Sequence, residues 1–175
     1  MDSSQLAEYL NTHAFHLKFI AVLDDSLMLL AFLACVIFLV IKDKQAFRYS
    51  MLCLAFFVVG SFTFDPIRSF DDDKVYRYII WALNDIIFIA IVAYWALKDK
   101  MYMWQSIMVQ LVVLPAPILQ LFRLVDRHLM DLSYSTYLYK SVLPIVNTVT
   151  IVLCFVPLLW HFGQKLKWKN NSIKS

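Results

Sequence analysis

The residue type most out of place in this sequence is a carboxylate. Asp85 follows Asn84 inside residues 78–97, YIIWALNDIIFIAIVAYWAL, an apolar run of membrane-spanning length. A charge at the centre of a span costs about 2.5–3.5 kcal/mol on insertion scales, so an intramembrane carboxylate is a functional hypothesis that needs a partner. Arg68 and Arg123, which follow runs ending on the same side, and Asp65 are the candidate charged neighbours. Asn84, Asp85 and Asn147 make up the candidate intramembrane polar site. Two chemistries fit these residues. One is a one-sided pocket for a cation or proton with Asp85 at its floor. The other is helix-to-helix glue, hydrogen bonds averaging below about 1 kcal/mol each that set register. The glue reading is preferred, because the charged residues at comparable depth (Asp24, Asp25, Asp65, Arg68, Arg123, Asp126, Lys140) keep to one side. A through-going path would need polar groups in the other half, where only Gln105, Gln110, Ser50 and Ser106 are on offer.

Other reactive side chains point to less. Asp71-Asp72-Asp73 lacks the spacing and the glycine of a calcium loop and reads as solvated; no metal site is expected. His13, His16, His128 and His161 form neither H-E-x-x-H nor a pair on facing spans, and read as surface or interface groups. Cys35, Cys53 and Cys154 each lie in an apolar run without a C-x-x-C, as small buried hydrophobes do. There is no G-x-S-x-G, Walker A or G-x-G-x-x-G. With two glycines, Gly60 and Gly163, no phosphate-cradling loop can be assembled. No cofactor and no enzymatic activity are expected.

The elements that must carry these residues are helices in a membrane. Of 175 residues, 61% are hydrophobic and mean hydropathy is +0.66, against about 45–50% apolar residues in a soluble domain. The expected fold is an all-α bundle of about five transmembrane spans over residues 19–163. The spans fall at 19–41, 46–64, 78–97, 101–122 and 141–161, each of about the 20 residues a crossing needs. Residues 1–18 have no signal-peptide pattern and could form an amphipathic helix. Asp65-Pro66 is expected to stop the second span, leaving a polar connection at 67–77. Pro115 and Pro117 should bend the fourth. Residues 123–140 form a mildly amphipathic connection, and 164–175 a basic tail. Lys42-Asp43-Lys44 recurs as Lys98-Asp99-Lys100 fifty-six residues on, a possible duplicated hairpin.

Five spans place the termini on opposite sides. One side carries Lys42, Lys44, Arg48, Lys98, Lys100, Lys165, Lys167, Lys169 and Lys174, nearly free of acids and close to the span ends. Positive residues mark the cytoplasmic side, so the C-terminus is read as cytoplasmic and the N-terminus as outside. The first eight of these residues are the expected docking sites for a partner or for anionic lipid. The expected function is that of a non-enzymatic subunit of a homo-oligomer or membrane complex, in a bacterial inner membrane. Such a subunit could sense a membrane event and pass it to a cytosolic protein partner, as immunity or phage-defence membrane components do; the analogy is of architecture only. The expected partners are the lipid bilayer, further subunits and that cytosolic protein, with no nucleic acid. Two alternatives stand: a small ion or proton channel or transporter with Asp85 as the site, and a membrane-embedded lipid-modifying enzyme using Asp85 with Arg68 or Arg123.

Overall fold

A computed structural model describes residues 26–130 and 133–172. The segment 1–18 and the first seven residues of the first expected span, including Asp24 and Asp25, lie outside the described residues. Among the described residues all regular structure is helical: α1 (Ser26–Ile41), α2 (Lys44–Phe70), α3 (Tyr76–Leu97), α4 (Met103–Val113), α5 (Pro115–Val125) and α6 (Ser133–Ser172). Four of the described helices are long and apolar enough to cross a membrane: Lys44–Phe70, Tyr76–Leu97, Met103–His128 and Ser135–His161.

Each boundary has a local cause. The Asp43 carboxylate caps α2, accepting from the Gln45 and Ala46 backbone N–H groups at 3.1 Å each. Contrary to expectation, Pro66 does not end α2, which runs on to Phe70. Pro66 removes one backbone donor from the last turns. On either side of it the hydroxyls of Thr63 and Ser69 donate to the Val59 and Pro66 carbonyls at 2.7 Å each; membrane helices tolerate proline. The connection expected over 67–77 shrinks to five residues, 71–75. The fourth span is likewise longer than expected. It breaks at Leu114, restarts with Pro115 in the first turn of α5, where a missing N–H costs nothing, and passes into a π-helical turn, Asp126–Met130. The expected connection over 123–140 is therefore mostly helix. α6 is helical from Ser133 and carries Pro144 and Pro157 inside it. Its backbone continues as helix into the expected tail as far as Ser172.

α3 packs against α2, α4 and α5, and α6 packs against α4, α5 and α2, so the four long helices close a ring. Leu27, Ala31, Ala34 and Phe38 of α1, spaced three and four apart, join the same core. The core gathers Tyr49 and Cys53 of α2, Phe88 and Val92 of α3, Val109 of α4, and Ile151 and Cys154 of α6. All three cysteines are buried and unpaired. Hydrogen bonds stitch the ring: Tyr49 Oη donates to Thr150 O at 2.9 Å, Gln105 Nε2 to Leu153 O at 2.9 Å and Ser106 Oγ to Val92 O at 3.3 Å.

The two Lys-Asp-Lys triplets end helices by the same device but in different registers. The Asp43 N–H bonds the Phe38 carbonyl at 3.1 Å, with Lys42 at φ 64°; the Lys100 N–H bonds the Trp95 carbonyl at 2.8 Å, with Asp99 at φ 51°. Both are left-handed helix ends of the Schellman kind. The left-handed residue is the first of one triplet and the second of the other. Asp43 then caps the next helix, whereas α4 starts at Met103 with no side-chain cap. The triplets are alike in sequence without being structurally equivalent.

Candidate functional site

Asp85 faces α5. Gln120 Nε2 donates to Asp85 Oδ2 at 2.8 Å, and no cation bonds the carboxylate among the described residues. Gln120 Oε1 is buried without a hydrogen-bond partner beside this contact. Neither candidate guanidinium reaches Asp85. Arg123 lies one turn beyond Gln120 and bonds Asp126, three residues on, at 2.7 Å. Ser135, from the start of α6, bonds both Arg123 and Asp126, and Asp126 is fully buried. Arg68 and Asp65 are exposed near the end of α2. Asn84, one residue from Asp85, points about 100° around the helix; it and Asn147 make no side-chain hydrogen bond among the described residues. The structure thus joins Asp85 to Gln120 and leaves the two asparagines apart from that contact. Gln120 carried a usable signal, a lone amide in the apolar stretch PAPILQLF.

Beyond Asp85, toward the α2–α3 corner, lies a second polar assembly. Asp71 is 1% exposed, so the acidic triplet is not wholly solvated as expected. Its carboxylate accepts from the backbone N–H groups of Val75 (2.9 Å), Tyr76 (3.1 Å) and Arg77 (3.0 Å), and from Arg77 Nε at 3.0 Å. Burial alone would raise its pKa; the bonds from Arg77, Tyr76 and Val75 outweigh that and hold it at about 2. The reason is local: the chain folds back at the end of α2, so the aspartate closing one helix meets the free N–H groups opening the next. Asp72 and Asp73 remain exposed. His128 faces the Asp73 carbonyl with Nε2 at 3.2 Å and the Leu124 carbonyl with Nδ1 at 2.9 Å, tying the π-helical turn to this corner.

A cavity of about 630 Å³ opens here. Arg68, Lys74, Arg77, Arg127 and Lys140 line it, with Asp71 and Asp72, and Phe64 and Trp81 form an apolar wall. The two rings stack at 5.8 Å and 7°. Asp85 is not part of the lining, so this pocket is not the alternative one with that carboxylate at its floor.

At the opposite end the Lys-Asp-Lys turns meet. Asp43 Oδ2 accepts from Tyr102 Oη at 2.9 Å and pairs with His161 Nε2 at 2.8 Å. Burial would raise the Asp43 pKa; the bonds from His161, Ala46 and Tyr102 bring it below the usual carboxylate value. Burial, with the bond to Asp43, pushes the Tyr102 phenol up to about 12, so it stays a donor. Gln45 Nε2 donates to the Asp99 carbonyl at 3.0 Å, and Arg48 to the Lys100 carbonyl at 3.2 Å. Lys42, Lys44, Lys98 and Lys100 are exposed around this brace. The side chains of Lys165, Lys167 and Lys169 lie outside the described residues. His161, read as a surface or interface group, pairs with Asp43; a histidine at the end of a span beside an acidic turn was the available signal.

Together these features define, over the described residues, an all-helical fold with four helices long and apolar enough to cross a membrane. No protein-family model, characterised protein or solved structure matches the sequence.

Proposed function

We propose that the chain is a five-span integral protein of a bacterial inner membrane that works without enzymatic activity, as a subunit of an oligomer or membrane complex. In this reading the N-terminus is outside, and the Lys42–Lys100 end is cytoplasmic and meets a cytosolic protein partner. The observation that carries it is the brace at that end. Asp43, Tyr102 and His161, with the Gln45 and Arg48 bonds, lock the α1–α2 turn, the α3–α4 turn and the end of α6 into one unit. Four exposed lysines surround it. Lysines held on rigid turns present a fixed charge pattern, which suits recognition of an acidic surface. The fifth span is supported by α1, whose outer face is apolar: Leu29, Phe32, Leu33, Val36, Leu39 and Val40 are all exposed, as a lipid-facing helix requires.

The test has two measurements. Cysteine substitutions at Lys98 and at Asp72 should label from opposite faces of sealed inner-membrane vesicles, Lys98 from the cytoplasmic face; labelling of both from one face removes the topology. Light scattering of the purified protein in detergent should give a mass above one chain; a strict monomer removes the oligomeric reading. A second reading, an ion or proton site at Asp85, is favoured by the orphaned Gln120 Oε1 beside a carboxylate that no cation among the described residues neutralises. It requires flux through reconstituted vesicles that Asp85→Asn abolishes while assembly stays intact. Flux absent from the wild type ends that reading.

A further inference from the structure

We infer that the cavity at the α2–α3 corner is a binding site for a phosphate group, supplied by the headgroup of an anionic lipid. The charge balance comes first. Five cations face the space against two carboxylates. One of those, Asp71, has both oxygens engaged by Arg77 and the amides opening α3. Arg68, Lys74, Arg127 and Lys140 form no ion pair with any described residue. Like charges converging from the end of α2, the following turn, the π-helical turn and α6 repel one another, and an anion between them relieves this.

The donor chemistry suits phosphate. Two guanidiniums and two ammoniums offer many N–H donors to a group with several acceptor oxygens, and such charge-assisted bonds are the strong ones. The volume of about 630 Å³ falls among ligand pockets, about 300–1,000 Å³. The wall decides the source. Phe64 and Trp81 stack along one side, and Phe64, Phe62, Ile79 and Ile80 continue as exposed apolar surface on the spanning helices. A soluble anion has no use for that wall; the glycerol and first acyl carbons of a lipid do. Basic pockets between membrane helices hold anionic headgroups by this combination.

The test uses the full chain in nanodiscs of phosphatidylcholine, with and without one-fifth phosphatidylglycerol, read by native mass spectrometry of the released protein. The wild type should retain phosphatidylglycerol, with inorganic phosphate competing. The pair Arg127→Gln/Lys140→Gln should weaken retention about tenfold or more, as the loss of charge-assisted bonds implies. The pair Lys42→Gln/Lys98→Gln, at the opposite end, should cost clearly less retention than the pocket pair, because those lysines meet anionic lipid only as a surface charge. Equal losses from both pairs would show a diffuse electrostatic effect and overturn the site. Thermal stabilisation by inorganic phosphate alone, with none added by phosphatidylglycerol, would keep the phosphate chemistry but overturn the lipid source. If the pocket pair does not fold, a phosphatidylglycerol carrying a headgroup photolabel is applied to the wild type. Label within residues 64–81, 127 or 140 supports the site, and label confined elsewhere overturns it. None of these outcomes depends on oligomeric state or on a cytosolic partner, so the site and the proposed function fail separately.

Discussion

At each end of the bundle one aspartate finishes a turn between helices, and the two work in opposite ways. Asp43 accepts from its own helix start, from Tyr102 on another turn and from His161 at the end of α6. Its partners come from far apart in sequence, so the bonds tie three elements together and the nearby lysines are left facing outward. Asp71 accepts only from residues four to six positions on. It finishes a corner and ties nothing else down. The cations brought there by α2, the π-helical turn and α6 are therefore left facing a shared space. A carboxylate with long-range partners closes an end of the bundle; one with local partners leaves the end open.

The largest effect expected from breaking this contrast is at Asp43. Asp43→Ala removes a helix cap, about 1 kcal/mol, and two side-chain bonds to a carboxylate, about 1.5–3 kcal/mol each before solvent exposure is discounted. A loss of about 2–4 kcal/mol is expected in detergent unfolding. Asp43→Asn keeps the cap, since asparagine caps as well as aspartate, and should lose about half as much. Equal losses for the two variants would mean that the cap contributes nothing. His161→Ala, which removes one bond of the brace, should fall between Asp43→Asn and the wild type.

Asp71→Ala comes next and should act locally. Hydrogen exchange at the Val75, Tyr76 and Arg77 amides should accelerate by about tenfold or more, because these N–H groups lose their acceptor. The Asp99 and Lys100 amides at the far end should be unaffected. Acceleration at both ends would contradict the separation drawn here. The pH dependence has a fixed sign. The folded pKa of Asp71, about 2, lies below the unfolded value of about 3.9. Its contribution is therefore complete above that unfolded value and is lost as pH falls from there through about 2. The melting difference between wild type and Asp71→Asn should be constant from neutral pH down to about 5 and shrink below about 4.

Asp85→Asn should cost below about 1 kcal/mol, because an amide can still bond Gln120 and single polar contacts between membrane helices average about 0.6 kcal/mol. Asp85→Leu removes the bond and leaves the Gln120 amide fully unpaired. It should lose more, about 1–2 kcal/mol. The reverse order would mean that Asp85 is not a helix contact.

The sequence revealed the apolar runs, and with them four of the helices, because composition over 20 residues is a strong signal. Of the basic residues it set on one side, Lys42, Arg48, Lys98 and Lys100 come together at one end of the described helices. What it concealed depended on partners distant in the chain. Asp85 and Gln120 are 35 positions apart, and no local pattern pairs them. Pro66 misled because a proline breaks a helix in water more readily than it breaks a helix of membrane-spanning length. Asp71 reads like Asp72 and Asp73; only the fold-back of α2 onto the start of α3 makes it different. The Lys-Asp-Lys repeat was visible as composition, while its one-residue shift in register depends on backbone angles that the letters do not carry.

The smallest stability effect is expected where the proposed site is. Arg127→Gln and Lys140→Gln remove cations that have no ion-pair partner among the described residues and that face other cations across the cavity. Nothing stabilising is lost, and mutual repulsion, weakened by water in the open space, is relieved. Each variant should unfold within about 0.5 kcal/mol of the wild type in detergent free of anionic lipid, as surface substitutions do, and any change should be toward greater stability. Adding phosphatidylglycerol should reverse the order. Ligand binding stabilises only a protein that has the site, so the wild type should rise above both variants. A destabilisation of Arg127→Gln by 2 kcal/mol or more without lipid would mean that this arginine is a brace, as His161 is at the other end, and the two ends would then be built alike.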